Sequence, residues 1–358
     1  RDEHPSRGLG DVYKRQGERG DNRWEEISYE QAMDEIAAKL KTVIDQYGPE
    51  GFAVSTSGWN TQTTQSADRR FMNLIGAPNW ISGVALCAGN TAAVNRLTYG
   101  WFPMGDFANT NCIVLFGHNP KKHSWTPIYN MIEAARERGA KVIVLDPRVS
   151  EQAEVADLHL SLRSGTDAAM CLGWLKVIFD EGLYDKKFVE NWCTGFEALK
   201  ARVDEYPLDR VSEITGVDAA LIAEAARMYA TADGAIIPWT PITDMQISST
   251  SAIRLHSILR AVTGNLDVVG GETLGGFNPD MIPETELAMH DVLSHEQKKK
   301  QLGYEKHPAY TYRVAEMLKE PTERVWGYPY ADLVMGCHMA NPSAVSYTHL
   351  TLPTRLPV

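Results

Sequence analysis

The chain has few cysteines, no long apolar run and no excess of positive charge, and each of these shortages excludes a class of protein. Its five cysteines are widely spread and none forms a Cys-x-x-Cys pair, which argues against a disulfide framework, a zinc ribbon or a self-contained iron–sulfur site. No stretch approaches the roughly 18 consecutive apolar residues of a membrane span. The net charge of −11 argues against binding to a phosphate backbone. We therefore expect no nucleic-acid partner and no membrane span.

The length of 358 residues predicts two domains, and a hydrophobic content of 44% is typical of globular proteins. Residues 1–16 and 345–358 show no periodicity and look like translated adapter sequence. We expect a non-native leader and a non-native tail there, and a natural sequence from about Gly17 to about Ala344 that is cut at both ends. The run Lys298–Lys300 predicts a solvated helix face.

The periodicity of apolar residues predicts an α/β fold with parallel strands. A helix should begin at Ser28, which forms a Ser-x-x-Gln capping box with Gln31, and should end at Gly48. The continuous apolar runs 112–116 and 142–145 predict strands buried on both faces, and the helical pattern between them completes a βαβ unit. Further strands are predicted at 52–56, 79–81, 158–162 and 235–239, further helices at 65–75, 166–181, 188–203, 219–229 and 251–262, and a glycine-rich loop at 264–276.

Three polar loops follow predicted strands, where open parallel sheets bind their ligands. They are Gly117-His118-Asn119-Pro120, Asp146-Pro147-Arg148 and Arg163-Ser164-Gly165-Thr166-Asp167. The first lacks a Gly-x-Gly-x-x-Gly pattern, so an ordinary nicotinamide fingerprint is absent. Asp146 could accept from a ribose hydroxyl and Asp167 from the two donors of a guanine edge, although a strand-end Asp is more often a turn or N-cap residue. Together the loops favour a cofactor that bears a nucleotide.

Cys87 differs from the other cysteines because it precedes a helix predicted to start near Thr91. A thiolate at the N-terminus of a helix is stabilised by backbone N–H groups and is a good ligand for soft metals. From spacing alone, a buried structural thiol is the more common alternative. Cys112, in an apolar strand, and Cys171, inside a helix, receive that structural interpretation.

Two further groups of residues leave alternatives open. His118, His123 and His256 could be ligands or proton shuttles, but they lack metal-binding spacing, so ordinary hydrogen-bonded roles are favoured. Trp125 and Trp239 follow predicted strands, where they could wall a pocket or pack in the core.

The order of these motifs resembles the molybdopterin oxidoreductases of the dimethyl sulfoxide reductase family. The resemblance covers nearly all of residues 17–344 and is carried by Trp24–Ser28, Cys87, the three strand-end loops, Thr263–Asn265 and Gly270–Gly271. In that family, molybdenum or tungsten is held by two molybdopterin guanine dinucleotides, and one side chain, often Cys, completes its ligands. The resemblance implies that Cys87 is the metal ligand. It also implies a set of cofactor-binding residues, namely Gly117, Asn119, Asp146, Arg148, Gly165, Thr166, Asp167 and Gln246.

The resemblance also implies two interleaved Rossmann-like domains with parallel sheets. The first α/β domain would comprise residues 17–85 and 277–344, and the inserted cofactor-binding domain would comprise residues 86–276. The family further implies an N-terminal domain with a [4Fe-4S] cluster and a C-terminal β-barrel domain, and we expect both to be missing from this sequence.

Within the family, the chain is most similar to a hydratase branch that adds water to a small molecule without net redox change. The shared stretches include Arg69–Leu74, Cys87, Gly89–Thr91, Asn191–Cys193, Glu205–Asp209, Ile237–Trp239, Thr243–Gln246 and Met339–Pro342. That branch rings its metal with bulky apolar side chains, and Trp125 and Trp239 look like two members of the ring. Ala88 and Trp59 stand where the branch has Ile.

The resemblance thus implies a catalytic centre formed by Cys87, Trp59, Ala88, Trp125 and Trp239. Two reactions on a small-molecule substrate stay open. The first is hydration at molybdenum or tungsten. The second is a redox conversion that moves oxygen, hydride or electrons through an iron–sulfur cluster to an electron-transfer partner. A third hypothesis, from a different class, is a nucleotide-binding protein without a metal.

Overall fold

The computed structural model describes residues 12–56, 62–82, 87–99, 103–122, 126–274, 287–306 and 311–313. The strands are β1 (Val12–Arg15), β2 (Trp24–Ile27), β3 (Ala53–Thr56), β4 (Asn79–Ser82), β5 (Pro103–Gly105), β6 (Cys112–Phe116), β7 (Lys141–Leu145), β8 (Leu158–Leu160), β9 (Ala235–Ile236) and β10 (Glu272–Leu274). The helices are α1 (Tyr29–Tyr47), α2 (Gln62–Leu74), α3 (Gly89–Tyr99), α4 (Thr126–Glu137), α5 (Asp167–Asp180), α6 (Lys186–Trp192), α7 (Phe196–Asp204), α8 (Leu208–Thr215), α9 (Ala219–Ala230), α10 (Pro241–Asp244), α11 (Ser249–Val262) and α12 (His295–Lys299). Short 3-10 helices cover Pro49–Gly51, Ala153–Val155 and His290–Val292.

A four-stranded parallel sheet in the order β8-β7-β6-β9 forms the centre of the fold. Val114 and Phe116 of β6 join an apolar cluster with residues of α5, α9 and α11, whereas Ile113 and Leu115 join a second cluster with residues of α4. Successive side chains of a strand point to opposite faces, so this division shows a sheet covered on both sides. The predicted buried strand at 112–116 and the α/β class with parallel sheets are confirmed.

A second parallel sheet pairs β3 with β4, and α2 connects the two strands. Residues from 287 onward contact this unit: Asn73 Nδ2 donates to the Ala288 carbonyl at 2.7 Å, and the Leu302 N–H donates to Asn79 Oδ1 at 2.9 Å. Lys300 also pairs with Glu50 at 2.5 Å. Segments far apart in sequence therefore meet around β3 and β4, while the division into two interleaved domains stays a prediction.

Helix α1 begins and ends where the sequence predicts. Ser28 Oγ accepts from the Gln31 N–H at 3.1 Å, and Gly48 ends the helix with a φ of 78°. The capping box is only half formed, because Gln31 Nε2 donates to Glu35 Oε1 at 3.1 Å, one turn further along the helix.

The structure differs from the predicted elements in several places, and the helix predicted at 188–203 is two helices, α6 and α7, separated by residues 193–195. Strand β9 is only two residues long, and Pro238, which has no N–H group to continue a ladder, follows shortly after it. Strand β10 lies inside the predicted glycine-rich loop and pairs with β5, while helix α8 was not predicted. Strand β1, in the segment predicted to be a non-native leader, pairs with β2. Within the described part of the chain, no helix has the length and apolar character that a membrane crossing requires.

Candidate cofactor site

The carboxyl ends of β6 and β9 lie at the point where the strand order of the central sheet reverses. Strands β6, β7 and β8 follow one another in one direction, whereas β9 pairs with the other side of β6. Such a reversal leaves a crevice beyond the strand ends, where open parallel sheets bind ligands. Gly117 follows β6 with a φ of 54°, and a Cβ added to it would lie 2.6 Å from Ile242 Cγ2. The backbone conformation and the close approach both require glycine there.

A buried carboxylate connects the start of α3 to the segment that follows β9. Asp244 Oδ1 accepts from the Thr91 N–H at 2.9 Å, and Oδ2 accepts from the Thr91 hydroxyl at 2.6 Å. Oδ2 also accepts from the indole N–H of Trp239 at 3.0 Å. Burial raises the pKa of Asp244 to about 6, although these hydrogen bonds favour the ionised form. Asp244 carries no signal of its own in the sequence, and only its place in the shared stretch Thr243–Gln246 points to it.

Cys87 lies two residues before α3 begins and is half-buried, and the neighbouring Ala88 is buried. The position beside a helix N-terminus suits a thiolate that binds a metal. Cys112 and Cys171 are fully buried, and burial raises the pKa of the Cys112 thiol to about 12 and that of Cys171 well above its ordinary value. Their predicted structural role agrees with this burial. In the ranges that the structure describes, no group of three or more His, Cys, Asp or Glu side chains could hold a metal ion.

A small recess lies between the start of α3 and the chain that follows β9. It is partly open to solvent, and its lining includes Thr91, Phe116, Trp239 and His256. The His256 ring stacks against Phe116 with a centroid separation of 4.3 Å, and burial lowers the pKa of His256 to about 3, so its imidazole is neutral. His256 Nε2 has no hydrogen-bond partner in the described structure, which differs from the hydrogen-bonded role that we favoured.

An ion pair that the sequence did not predict fixes the backbone after β9. Arg260 Nε lies 2.6 Å from Glu272 Oε2, and both side chains are almost fully buried. The pair holds the backbone of a single residue, because Arg260 donates to the Ile237 carbonyl at 2.8 Å and Glu272 Oε1 accepts from the Ile237 N–H at 2.5 Å. An acidic residue in a glycine-rich loop carries no local sign of such a partner.

Asp146 in the loop after β7 has the turn-forming role that a strand-end Asp most often has. Asp146 Oδ1 accepts from the Arg148 N–H at 2.8 Å, and the Arg148 guanidinium remains exposed with its Nε 3.9 Å from the same oxygen. In the loop after β6, Asn119 Nδ2 donates to Glu151 Oε2 at 2.7 Å, and Lys122 pairs with Glu151 at 3.1 Å. These contacts hold the pKa of Glu151 at about 2.

The structure brings together several residues that were predicted to bind the nucleotide. Burial raises the pKa of Asp167, the first residue of α5, and the neighbouring Gln246 side chain opposes this shift. Gln246 Oε1 is buried without a hydrogen-bond partner in the described structure. The Ser248 hydroxyl donates to the Gly165 carbonyl at 3.2 Å, and a Cβ added to Gly165 would meet nothing within 4 Å. Thr166, between Gly165 and Asp167, donates its hydroxyl to the Arg163 carbonyl at 2.6 Å. Trp59, His123, Trp125 and Cys337 lie outside the described residues.

Comparison with known proteins identifies the family. The model of the molybdopterin oxidoreductase family matches residues 10–257. The chain belongs to this family. It is 52% identical to acetylene hydratase of Syntrophotalea acetylenica over 327 residues, which are 91% of this chain and 44% of that protein. It is 31% identical to formate dehydrogenase H of Escherichia coli, over 87% of this chain and 46% of that protein.

A solved structure supports the same relationship. Acetylene hydratase from Pelobacter acetylenicus matches with a TM-score of 0.84 and 50% sequence identity, and the match covers 96% of this chain and 48% of that one. The predicted resemblance to a molybdopterin oxidoreductase of the hydratase branch is thereby confirmed. The chain spans less than half the length of these relatives.

Membership in the molybdopterin oxidoreductase family implies a molybdopterin cofactor that carries molybdenum or tungsten. The residues at the crevice fit such a group. Asp167 and the unpartnered oxygen of Gln246 offer hydrogen-bonding atoms to a polar ring, and the space over Gly165 is open. Cys87 offers a free thiol, and soft metals prefer sulfur ligands of this kind.

Proposed function

We propose that this chain holds the nucleotide ends of a bis-molybdopterin guanine dinucleotide cofactor and supplies Cys87 as the protein ligand to molybdenum or tungsten. One observation carries the proposal: the start of the helix that follows Cys87 meets the strand-end loops at a single crevice. Asp244 joins Thr91 to the segment after β9, and Ile242 in that segment lies against Gly117 after β6. Cys87 and the nucleotide-binding loops are therefore close enough to bind one extended cofactor.

Different loops contact different parts of the nucleotides. Asp167 and Gln246 hydrogen-bond the guanine edge, because one offers a carboxylate and the other an amide at a buried position. Asp146 lies at the end of β7, where its carboxylate accepts from a ribose hydroxyl, and the exposed Arg148 guanidinium pairs with a phosphate. The remaining contacts come from the glycines and polar residues that were predicted, namely Gly117, Asn119, Gly165 and Thr166.

The proposed reaction is hydration of a small unsaturated substrate, as the name of acetylene hydratase indicates for that relative. When bound, the cofactor supplies a Lewis-acidic metal that activates water or the substrate. The Trp239 side chain is half-buried beside the crevice, and its indole N–H is held by Asp244. A tryptophan fixed in this way excludes bulk water and shapes a small apolar pocket, together with Ala88, Trp59 and Trp125.

A redox reaction is the second candidate, and Ala88 favours it. Ala88 is buried next to Cys87, where its small side chain leaves more space beside the metal than the Ile of the hydratase branch. Several relatives carry redox names, including formate dehydrogenase H and the thiosulfate reductase subunit PhsA of Salmonella typhimurium, which is 32% identical over 259 residues. In this case a [4Fe-4S] cluster in another domain exchanges electrons with a partner protein.

The domain arrangement is also a proposal. Residues 17–85 and 277–344 form one α/β domain, and residues 86–276 form the inserted cofactor domain. The contacts of Asn73 with Ala288 and of Asn79 with Leu302 support the discontinuous first domain, because they join its two segments.

The two reactions are distinguished by their products. Purified holoenzyme that contains this chain is incubated with acetylene under a strong reductant, and acetaldehyde is measured. Hydration predicts acetaldehyde without net consumption of the reductant, whereas the redox reaction predicts electron exchange with a viologen dye and no acetaldehyde. In both cases Cys87→Ser should remove one sulfur ligand from the bound metal, which X-ray absorption at the metal edge reports. A parent protein that binds nucleotide without any metal, and binds it unchanged in Cys87→Ser, would support the metal-free hypothesis instead.

A further inference from the structure

We propose that Asp244 is a positioning residue that fixes Trp239 relative to the start of the Cys87 helix. The proposal rests on the proposed function, in which Cys87 binds the metal and Trp239 lines the substrate pocket. Each carboxylate oxygen has a separate set of partners: Oδ1 accepts from the Thr91 N–H, and Oδ2 accepts from both the Thr91 hydroxyl and the Trp239 indole. One side chain therefore contacts the backbone that follows Cys87 and the aromatic ring that walls the crevice.

Asp244 and its partner Thr91 are buried, which makes this part of the connection rigid. Thr91 and Asp244 are almost inaccessible to solvent, and hydrogen bonds are stronger where water is excluded. An indole N–H can only donate, so Trp239 depends on an acceptor in its surroundings. The carboxylate meets this need while it also satisfies an N–H group at the start of α3, one of the four that a helix leaves without a helical partner.

Other contacts hold α3 in place without Asp244. Asn90 Nδ2 donates to Ser249 Oγ at 2.7 Å, and the Ser257 hydroxyl donates to Asn95 Oδ1 at 2.7 Å, so the first turn and the middle of α3 are fixed to α11. A change at residue 244 should therefore alter the orientation of Trp239 and the first turn of α3, while the helix as a whole remains packed.

The substitution Asp244→Asn breaks this link selectively. The amide oxygen can keep the bond from the Thr91 N–H, and the Thr91 hydroxyl can rotate and accept from the new amide N–H. The Trp239 indole would then face a second donor and lose its bond. Thr91→Val is the matched control, since it removes the hydroxyl donor with little change in volume and leaves the bond between Asp244 and Trp239 intact.

The first measurement needs no turnover. Ultraviolet resonance Raman spectra report hydrogen bonding of an indole N–H, and subtraction of the Trp239→Phe spectrum isolates Trp239 among the nine tryptophans. In Asp244→Asn we expect the Trp239 band to shift to the position of a non-bonded indole, whereas Thr91→Val should leave it unchanged. An unshifted band in a folded Asp244→Asn variant would overturn the proposal.

The second measurement is a double-mutant cycle on the holoenzyme, with acetylene hydration or viologen turnover as the assay. Asp244→Asn and Trp239→Phe should each lower kcat about tenfold, as small misplacements near a reacting centre do. The combined variant should be no worse than the more damaged single variant, because both break the same link. A combined loss near one hundredfold would show independent effects and overturn the proposal. If the metal in Cys87→Ser keeps the same number of sulfur ligands, the proposed function fails, and the Raman result still decides whether Asp244 holds Trp239.

Discussion

Gly117 is the position where one added methyl group tests the geometry of the crevice most directly. In Gly117→Ala, the new Cβ would lie 2.6 Å from Ile242 Cγ2, and the backbone would have to keep a φ of 54°. A left-handed conformation costs about 1–2 kcal/mol for a residue with a side chain. Overpacking adds about 1–3 kcal/mol. We expect a total loss of about 3 kcal/mol in the free energy of unfolding, which corresponds to a fall of roughly 6–12 °C in the melting temperature of a domain of this size.

A second substitution separates the two contributions. Ile242→Ala removes the atom that the new Cβ would strike, and it costs little by itself because Ile242 is 50% exposed. The double variant should regain about half of the loss, and the remainder reports the backbone conformation. Thermal unfolding followed by circular dichroism gives all four melting temperatures. The reasoning is refuted if Gly117→Ala melts within a degree of the parent, or if the double variant is no more stable than Gly117→Ala.

Three further predictions concern buried groups. Cys112 and Cys171 should resist maleimide in the native protein, because burial raises the pKa of both thiols, and peptide mass spectrometry would reveal any label. Burial also raises the pKa of Asp167, so its contribution to stability is fully present below the unfolded-state pKa and is lost as pH rises through the folded-state pKa. Asp167→Asn, which mimics the protonated acid, should therefore gain stability relative to the parent as pH rises from about 3, below the ordinary pKa of 3.8, to about 8 in urea titrations, and an equal gap at both pH values would contradict this. Arg260→Met should cost about 3–5 kcal/mol in the same titrations, because it leaves the buried Glu272 carboxylate without its ionic partner. Adding Glu272→Leu should restore only part of that loss, because the Ile237 N–H and carbonyl groups then both lack their side-chain partners.

The elements that the sequence predicted are those whose cause is local. The strand at 112–116 is a continuous apolar run, and Ser28 caps α1 because its hydroxyl reaches the Gln31 N–H three residues away. Each of these signals lies within a single element, so no knowledge of the tertiary structure is needed to interpret it.

The site was predicted only in part, because its strongest contacts join distant segments. Residues Thr91 and Asp244 are separated by 153 positions, and no periodicity in either segment reveals their hydrogen bonds. The same is true of strand β10, whose Glu272 becomes buried only because Arg260 approaches it from α11. The strand-end loops were predictable, since their place after buried strands follows from the apolar runs, and Asp167 does lie beside Gln246.

The late position of β9 in the chain has a consequence for biosynthesis. As the nascent polypeptide leaves the ribosome, β6, β7 and β8 can pair as soon as residue 160 has emerged, whereas β9 starts only at Ala235 and the buried acid that braces it is Glu272. Throughout that interval β6 is paired on one side only, and the crevice lacks the residues that follow β9. A group that binds in this crevice therefore needs the segment through residue 274 to have been released from the ribosome.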